Sequence, residues 1–315
     1  MTDELQDAYD VIVAGGGAAG LNGALMLARS RRSVAVIDAG APRNAPAAGI
    51  HGLLGREGMP PAELLSLGRA EVRGYGAHVV TGEISGVARK EDFVVTLQDG
   101  RTARARRLLV ATGLADELPD VPGLRELWGQ DVIHCPYCHG WEVRDRAIGV
   151  LASGPMSVHQ ALLFRQLSDD LVYFGAVAGE DAEKFEALGI RVVSATVTGL
   201  EIVGNRLAGV RLADGTVISR EALAVATRMV ARAGFLSDLG LHPVDHPSGA
   251  GQHYPGDATG RTDVPGVWVA GNVTDLAAQV GSAAAAGALA GAHINADLVA
   301  EDARHAVLIR GDSTQ

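Results

Sequence analysis

A strand, a glycine-rich turn and a helix follow one another from Tyr9 to Arg29, and a second strand and turn of the same kind open at Ala147. A third strand, Val267-Trp268-Val269, lies far down the chain, yet like the first it closes on small residues. Together these predict an α/β fold of two Rossmann-like dinucleotide-binding domains, the first split around the second. The expected limits are residues 1–117 and 245–315 for the split domain and 118–244 for the inserted one. Length agrees with two units, because single cores stop growing at about 250–300 residues and the chain has 315.

Tyr9-Asp10-Val11-Ile12-Val13-Ala14 is short, apolar and rich in β-branched residues, and it runs directly into Gly15-Gly16-Gly17-Ala18-Ala19-Gly20 and a helix over Leu21 to Arg29. This is G-x-G-x-x-G in its informative setting, between a strand and a helix. The glycines permit the tight turn and let a pyrophosphate approach the helix N-terminus, whose free N–H groups suit an anion. A second run, Ser33 to Ile37, ends in Asp38-Ala39, 18 residues beyond Gly20. An acid there accepts hydrogen bonds from a ribose. NAD and FAD share this motif, so it defines a dinucleotide site without choosing between them.

Pro42 to Pro46 and His51 to Gly55 read as Gly/Pro-rich loops, in which Asn44 and His51 are candidate neighbours of the nucleotide. Pro61 to Val72 reads as a helix. Val79-Val80, Gly82 to Val87, Phe93 to Leu97 and Arg101-Thr102-Ala103 read as a small antiparallel insert, with Asp99-Gly100 as its hairpin turn. Arg107 to Val110 is then a strand closing on Ala111-Thr112-Gly113. Near the other end Val267-Trp268-Val269-Ala270-Gly271-Asn272 repeats that pattern, followed by Gln279 and an Ala/Gly-rich helix from about Val280 to Leu298. Small residues there bring backbone close to a large planar ligand, and the helix N-terminus suits negative charge on a reduced ring. Tight packing against a neighbouring helix explains the same composition.

Both cysteines of the chain stand in His134-Cys135-Pro136-Tyr137-Cys138-His139. In a Cys-x-x-Cys pair one sulfur attacks while the other resolves, so two electrons are stored as a disulfide. Were Cys138 to open a helix, the helix N-terminus would favour its thiolate. Half a zinc site, a pair of inert buried thiols and a thioredoxin fold are the alternatives. A closed zinc site needs four ligands, and the sequence has no second cysteine pair.

Ala147 to Leu151 and the turn Ala152-Ser153-Gly154-Pro155-Met156-Ser157 start the second unit. Only Gly154 of the three glycine positions survives, and Pro155 removes an N–H donor where donors are wanted. After the strand Leu171 to Phe174, Glu180-Asp181 stand where a 2′-phosphate would want arginines. The expectation is a domain that keeps its fold and has lost its nucleotide. Strands at Val192 to Val197, Leu207 to Leu212 and Val217-Ile218 follow, with Asp214-Gly215 as a turn.

A net charge of −10 argues against nucleic acid as a partner and against an anionic membrane surface. The longest apolar tract, Val280 to Ala292, is too short to span a bilayer. The acidic start, Met1-Thr2-Asp3-Glu4, reads as no secretory signal, so the cytoplasm is the expected compartment. There a lone cysteine pair is more often redox-active than structural.

The order Gly15-x-Gly17-x-x-Gly20, Ala111-Thr112-Gly113, Cys135-x-x-Cys138, a second nucleotide-like unit and Ala270-Gly271-Asn272 with Gln279-Val280 resembles the low-molecular-weight thioredoxin reductases over almost the full chain. Within that superfamily, the Cys-Pro-Tyr-Cys-His segment and the eroded second phosphate loop resemble the flavin-dependent dithiol oxidases that close disulfides in holomycin, gliotoxin and related natural products. The resemblance implies bound FAD, a homodimer, and a small-molecule dithiol oxidised with O2 as acceptor. FAD would be held by Gly15, Gly17, Ala18, Ala19, Gly20, Asp38, Ala39, Asn44, His51, Ala111, Thr112, Gly113, Gly271, Asn272, Gln279 and Val280. It further implies that Cys135 meets the substrate sulfur and Cys138 lies under the flavin. His139 falls where the reductases carry an aspartate acid/base, and no metal is expected. Asn272 departs from the reductases, which have aspartate there. An NAD(P)H-dependent disulfide reductase and a non-catalytic flavin redox sensor are the competing readings.

Overall fold

The structure, a computed structural model, describes residues 2–312. Its first sheet grows from the β-branched run Ala8–Ala14, which pairs in parallel with Val34–Asp38 on one side and Thr102–Val110 on the other. Val11, Ile12 and Val13 are fully buried, as expected of a parallel strand covered on both faces. The helix Ala18–Arg29 begins two residues after Gly16, with Gly17 as its N-cap.

His78–Thr81 corrects the expected antiparallel insert. It follows the helix Pro61–Gly74 and pairs in parallel with Val34–Asp38, extending the main sheet. A strand that returns through a helix has the right-handed crossover open to it, and that connection overrode the local hairpin pattern. The insert is therefore Ile84–Arg89 and Phe93–Leu97 alone, joined to the first half of Thr102–Val110. The second half of that nine-residue strand pairs in parallel with Val267–Val269, so the chain's last strand completes the sheet begun by its first.

The Ala/Gly-rich helix is longer than its composition suggested, running from Val280 to Asp312. It packs on Ala18–Arg29 through glycines: a Cβ on Gly287 would stand 1.9 Å from the Ala19 carbonyl oxygen, and one on Gly291 would stand 2.7 Å from that of Gly23. Arg106 and Arg107 tie its second half to the sheet through Glu301, Asp302 and Asp297.

In the second unit Ile148–Leu151, Leu171–Phe174, Arg191–Val193, Ala222–Val225 and Val132–Ile133 form an all-parallel sheet. Val197–Val203, Arg206–Leu212 and Val217–Ile218 are the antiparallel strands beside it. The expected run Val192 to Val197 is thus split between two sheets. The chain leaves the first sheet through Leu114–Glu117 and returns through Arg228–Ala231, and these two strands pair antiparallel.

Candidate active site

A cleft of about 1560 Å³ between the two sheets is lined by the first glycine turn, the end of Val34–Asp38, Ala111-Thr112-Gly113, the start of the long C-terminal helix and the whole cysteine segment. The glycines divide their labour by position. Gly17 has nothing within 4 Å of a would-be Cβ and leaves the turn open. A Cβ on Gly20 would lie 1.8 Å from the Gly15 carbonyl oxygen, so Gly20 lets helix and strand touch and does not itself line the cleft. Gly16, which the motif leaves free, is equally constrained, since its Cβ would press on the Asp38 carboxyl at 2.7 Å.

Asp38 ends its strand with one oxygen 2.8 Å from Arg69 Nη2 and the other accepting from Gly40 N at 3.2 Å. Ala18, Ala19, Ala39, Asn44, Ala111, Thr112, Gly113, Gly271, Asn272, Gln279 and Val280 all line the cleft as expected residues. Thr112 Oγ1 is buried there without a partner, and Gly113 and Gly271 adopt positive φ. An open glycine at a helix N-terminus, a carboxylate at a strand end and an orphaned hydroxyl fit the pyrophosphate, ribose and ring of FAD. Asn272 explains its own departure: its Nδ2 donates to the carbonyls of Asp275, Leu276 and Ala278 at 3.0, 3.4 and 2.9 Å. A carboxylate has no proton to offer those three oxygens. The amide thereby fixes the turn that sets Gln279 and Val280 at the helix N-terminus.

His51 is outside the cleft lining, with Nδ1 2.6 Å from Glu57 Oε1 and Nε2 3.5 Å from Glu142 Oε1. Its loop reaches over to the segment that follows the cysteines, and a Cβ on the next residue, Gly52, would stand 3.5 Å from Gln279 Oε1.

The cysteine segment reverses one expectation. The short helix is Pro136–His139 with Cys135 as its N-cap, so Cys135, rather than Cys138, stands at its N-terminus. The sulfurs are 2.7 Å apart, with Cys138 Sγ donating to Cys135. That hydrogen bond outweighs burial and, with the N–H groups of Cys138 and Tyr137 and the Arg43 guanidinium, brings Cys135 down to about 7. Cys138 moves the opposite way, raised by the proton it shares and by burial. His139 is lowered, chiefly because burial disfavours the imidazolium, and its Nε2 is buried without a partner. His134, also lowered by burial, is committed: its Nδ1 donates to the Val225 carbonyl at 3.0 Å.

Sequence reasoning missed the brace beneath this segment. Arg43 makes a two-pronged ion pair with Asp116 at 2.6 and 2.7 Å, and Thr227 Oγ1 donates to the same carboxylate at 2.7 Å. Arg43 was legible only as a loop residue, because its partner Asp116 lies 73 positions away.

The second phosphate loop closes on itself. Ser157 Oγ, fully buried, accepts from the backbone N–H groups of Ser153 and Gly154, both at 3.1 Å. Those are the donors a dinucleotide phosphate would use.

Two dinucleotide folds around a cleft that brings a cysteine pair to a flavin site define a flavin-dependent disulfide oxidoreductase. The chain belongs to the pyridine nucleotide-disulphide oxidoreductase family, whose model matches residues 9–290, and it is an FAD-binding flavoprotein. It is similar to the crystal structure of HlmI, with 44% identity and a TM-score of 0.92 covering 100% of this chain and 99% of that one. It is also similar to thioredoxin reductase tcpT of Claviceps purpurea, 30% identical over 93% of this chain and 95% of that one. Thioredoxin reductase sirT of Leptosphaeria maculans is 29% identical at the same coverage.

Proposed function

We propose that the protein is an FAD-dependent dithiol oxidase that closes an intramolecular disulfide in a small-molecule dithiol, with O2 as acceptor and H2O2 as product. The observation that carries this is Ser157, whose hydroxyl takes the two N–H groups that would otherwise hold a nicotinamide dinucleotide. Glu180 and Asp181, at the start of the helix Glu180–Ala187, repel a 2′-phosphate from the same edge. The full-length likeness to HlmI supports the reading.

A substrate thiol loses its proton to His139 and attacks Cys135 Sγ of the oxidised pair; the Cys135–Cys138 bond breaks, and Cys138 leaves as a thiolate that takes the proton back from His139. The second substrate sulfur, deprotonated in turn, attacks the first and releases Cys135. Cys135 is the better leaving thiolate, since its N-cap position and the Cys138 hydrogen bond stabilise its charge. His139 suits the base role because its Nε2 is free and burial keeps the ring neutral near pH 7. Bound FAD supplies the two-electron acceptor between the cysteine pair and oxygen. The balance is dithiol plus O2 to cyclic disulfide plus H2O2.

The names of the fungal relatives favour a second reading, an NAD(P)H-dependent disulfide reductase. Anaerobic stopped-flow of the holoenzyme against NADPH and NADH separates the two. The expected result is a flavin that stays oxidised with either nucleotide and bleaches with dithiothreitol, followed by oxygen uptake in air. Rapid bleaching by NADPH would overturn the proposal.

A further inference from the structure

A dinucleotide carries a negatively charged diphosphate into a protein whose own net charge is −10, so the overall field opposes its entry. The N-terminus of Ala18–Arg29 offers roughly half a positive charge, which does not balance the ligand. Three arginines and no lysine line the cleft. Arg43 is held by Asp116 and Arg228 by Glu117. Arg232 is exposed and has no ion pair among the described residues; its Nη1 donates to the Ala41 carbonyl at 3.1 Å. The residue is fixed beside the first glycine turn from two sides. Its backbone N–H donates to the Gly113 carbonyl at 2.9 Å, and the residues just before Gly113 lie against the turn, since a Cβ on Gly15 would stand 2.4 Å from the Ala111 carbonyl oxygen. Ala41 lies three residues beyond Asp38, whose carboxyl a Cβ on Gly16 would meet at 2.7 Å. Gly15, Gly16, Asp38, Ala41, Gly113 and Arg232 all line the cleft.

We propose that Arg232 is a cofactor-binding residue, whose guanidinium holds the diphosphate of FAD together with the N-terminus of Ala18–Arg29. A planar fork of N–H donors matches phosphate oxygens, and the backbone bond to Gly113 already sets that fork beside the turn. Asp38 does not compete for it, because its carboxylate is paired with Arg69. Arg232 directly follows Arg228–Ala231, the strand by which the chain returns, and that strand pairs with Leu114–Glu117, by which it left. Cofactor charge thus ties the returning crossing to the first glycine turn, and loading stabilises the relation of the two lobes by mass action. This role holds whatever the cysteine pair oxidises.

The test is the affinity of the apoprotein for FAD, read by quenching of flavin fluorescence at low and high KCl, for the wild type, R232K, R232M and R232E. At low salt R232M should bind FAD roughly tenfold or more weakly, the loss of one hydrogen bond to a charged group. R232E should bind more weakly still, and R232K should come closest to the wild type. High salt screens charge, so the gap between wild type and R232M should narrow. A packing role would instead favour methionine over lysine and leave the gap unchanged by salt. Thermal unfolding of each apoprotein checks the fold; for a variant that does not survive removal of the flavin, flavin retained by the holoenzyme on gel filtration at the two salt concentrations reads the same ranking. An R232M affinity equal to wild type, or a loss that neither salt narrows nor lysine relieves, overturns the role. Unchanged FAD affinity with a raised KM for dihydrolipoate, an acidic dithiol, overturns it too and gives Arg232 to the substrate.

Discussion

Cys135 and Cys138 are chemically unequal although the sequence presents them as a symmetrical pair. The asymmetry comes from one proton between two sulfurs 2.7 Å apart and from the N-cap position of Cys135, neither of which spacing alone reveals. In the reduced protein, Cys135 should therefore react with iodoacetamide along a curve centred at about 7, below the ordinary thiol. The Cys138 hydrogen bond is the largest influence on that value, so C138A should move the midpoint upward while leaving burial in force. C135A should leave a thiol that reacts slowly throughout the neutral range. Rates of alkylation from pH 5 to 10, read by mass, check both; a C138A midpoint no higher than that of Cys135 in the wild type would refute the assignment.

The helix pair Ala18–Arg29 and Val280–Asp312 is where packing and cofactor binding meet. Gly287 faces the Ala19 carbonyl within the first turn of the nucleotide helix, and backbone cannot retreat from a new methyl as a side-chain tip can. G287A should cost about 1–3 kcal/mol as an overpacked contact, and by pushing the glycine turn it should also raise flavin release. Thermal unfolding and flavin retained on gel filtration measure the two; a variant with unchanged melting and flavin content would show that the helices part without cost. Elements like these were legible because their signals are local: a β-branched run, three spaced glycines, an Ala/Gly helix. His78–Thr81 was misassigned because a short strand does not announce its partner, and here the partner lay across a helix. Ser157 could have been found, since a hydroxyl in a glycine position of a phosphate loop is a visible departure. The Arg43–Asp116–Thr227 brace carried no local mark.

At the scale of the molecule, the two sheets are held in one relation by contacts that converge on the cysteine segment. Arg43 reaches Asp116 on the outgoing crossing strand, Thr227 bonds it just before the returning one, and Pro46 fills the space a Cβ on Gly129 would take, 2.5 Å away. Asp116 shows how the brace responds to pH. Burial is the largest influence and raises its pKa, but the Arg43 ion pair, the Thr227 hydroxyl and His134 together outweigh it and leave the carboxyl below its ordinary value. A carboxylate lowered on folding adds stability above its unfolded value of about 3.9, and that stability is lost as pH falls through the folded value. R43M removes the main opposing influence and leaves a nearly buried carboxylate with one hydroxyl donor. The loss at pH 7 should be about 1.5–3 kcal/mol, the range for hydrogen bonds to a charged group. Burial then dominates, so in the variant Asp116 is raised rather than lowered, and it gains relative stability as it is protonated. The gap between wild type and R43M should accordingly narrow from pH 7 to pH 4.5, measured by urea unfolding. A gap that stays constant with pH would mean that Arg43 acts through packing, and that the lobes are held by contacts such as that of Pro46 with Gly129 without help from charge.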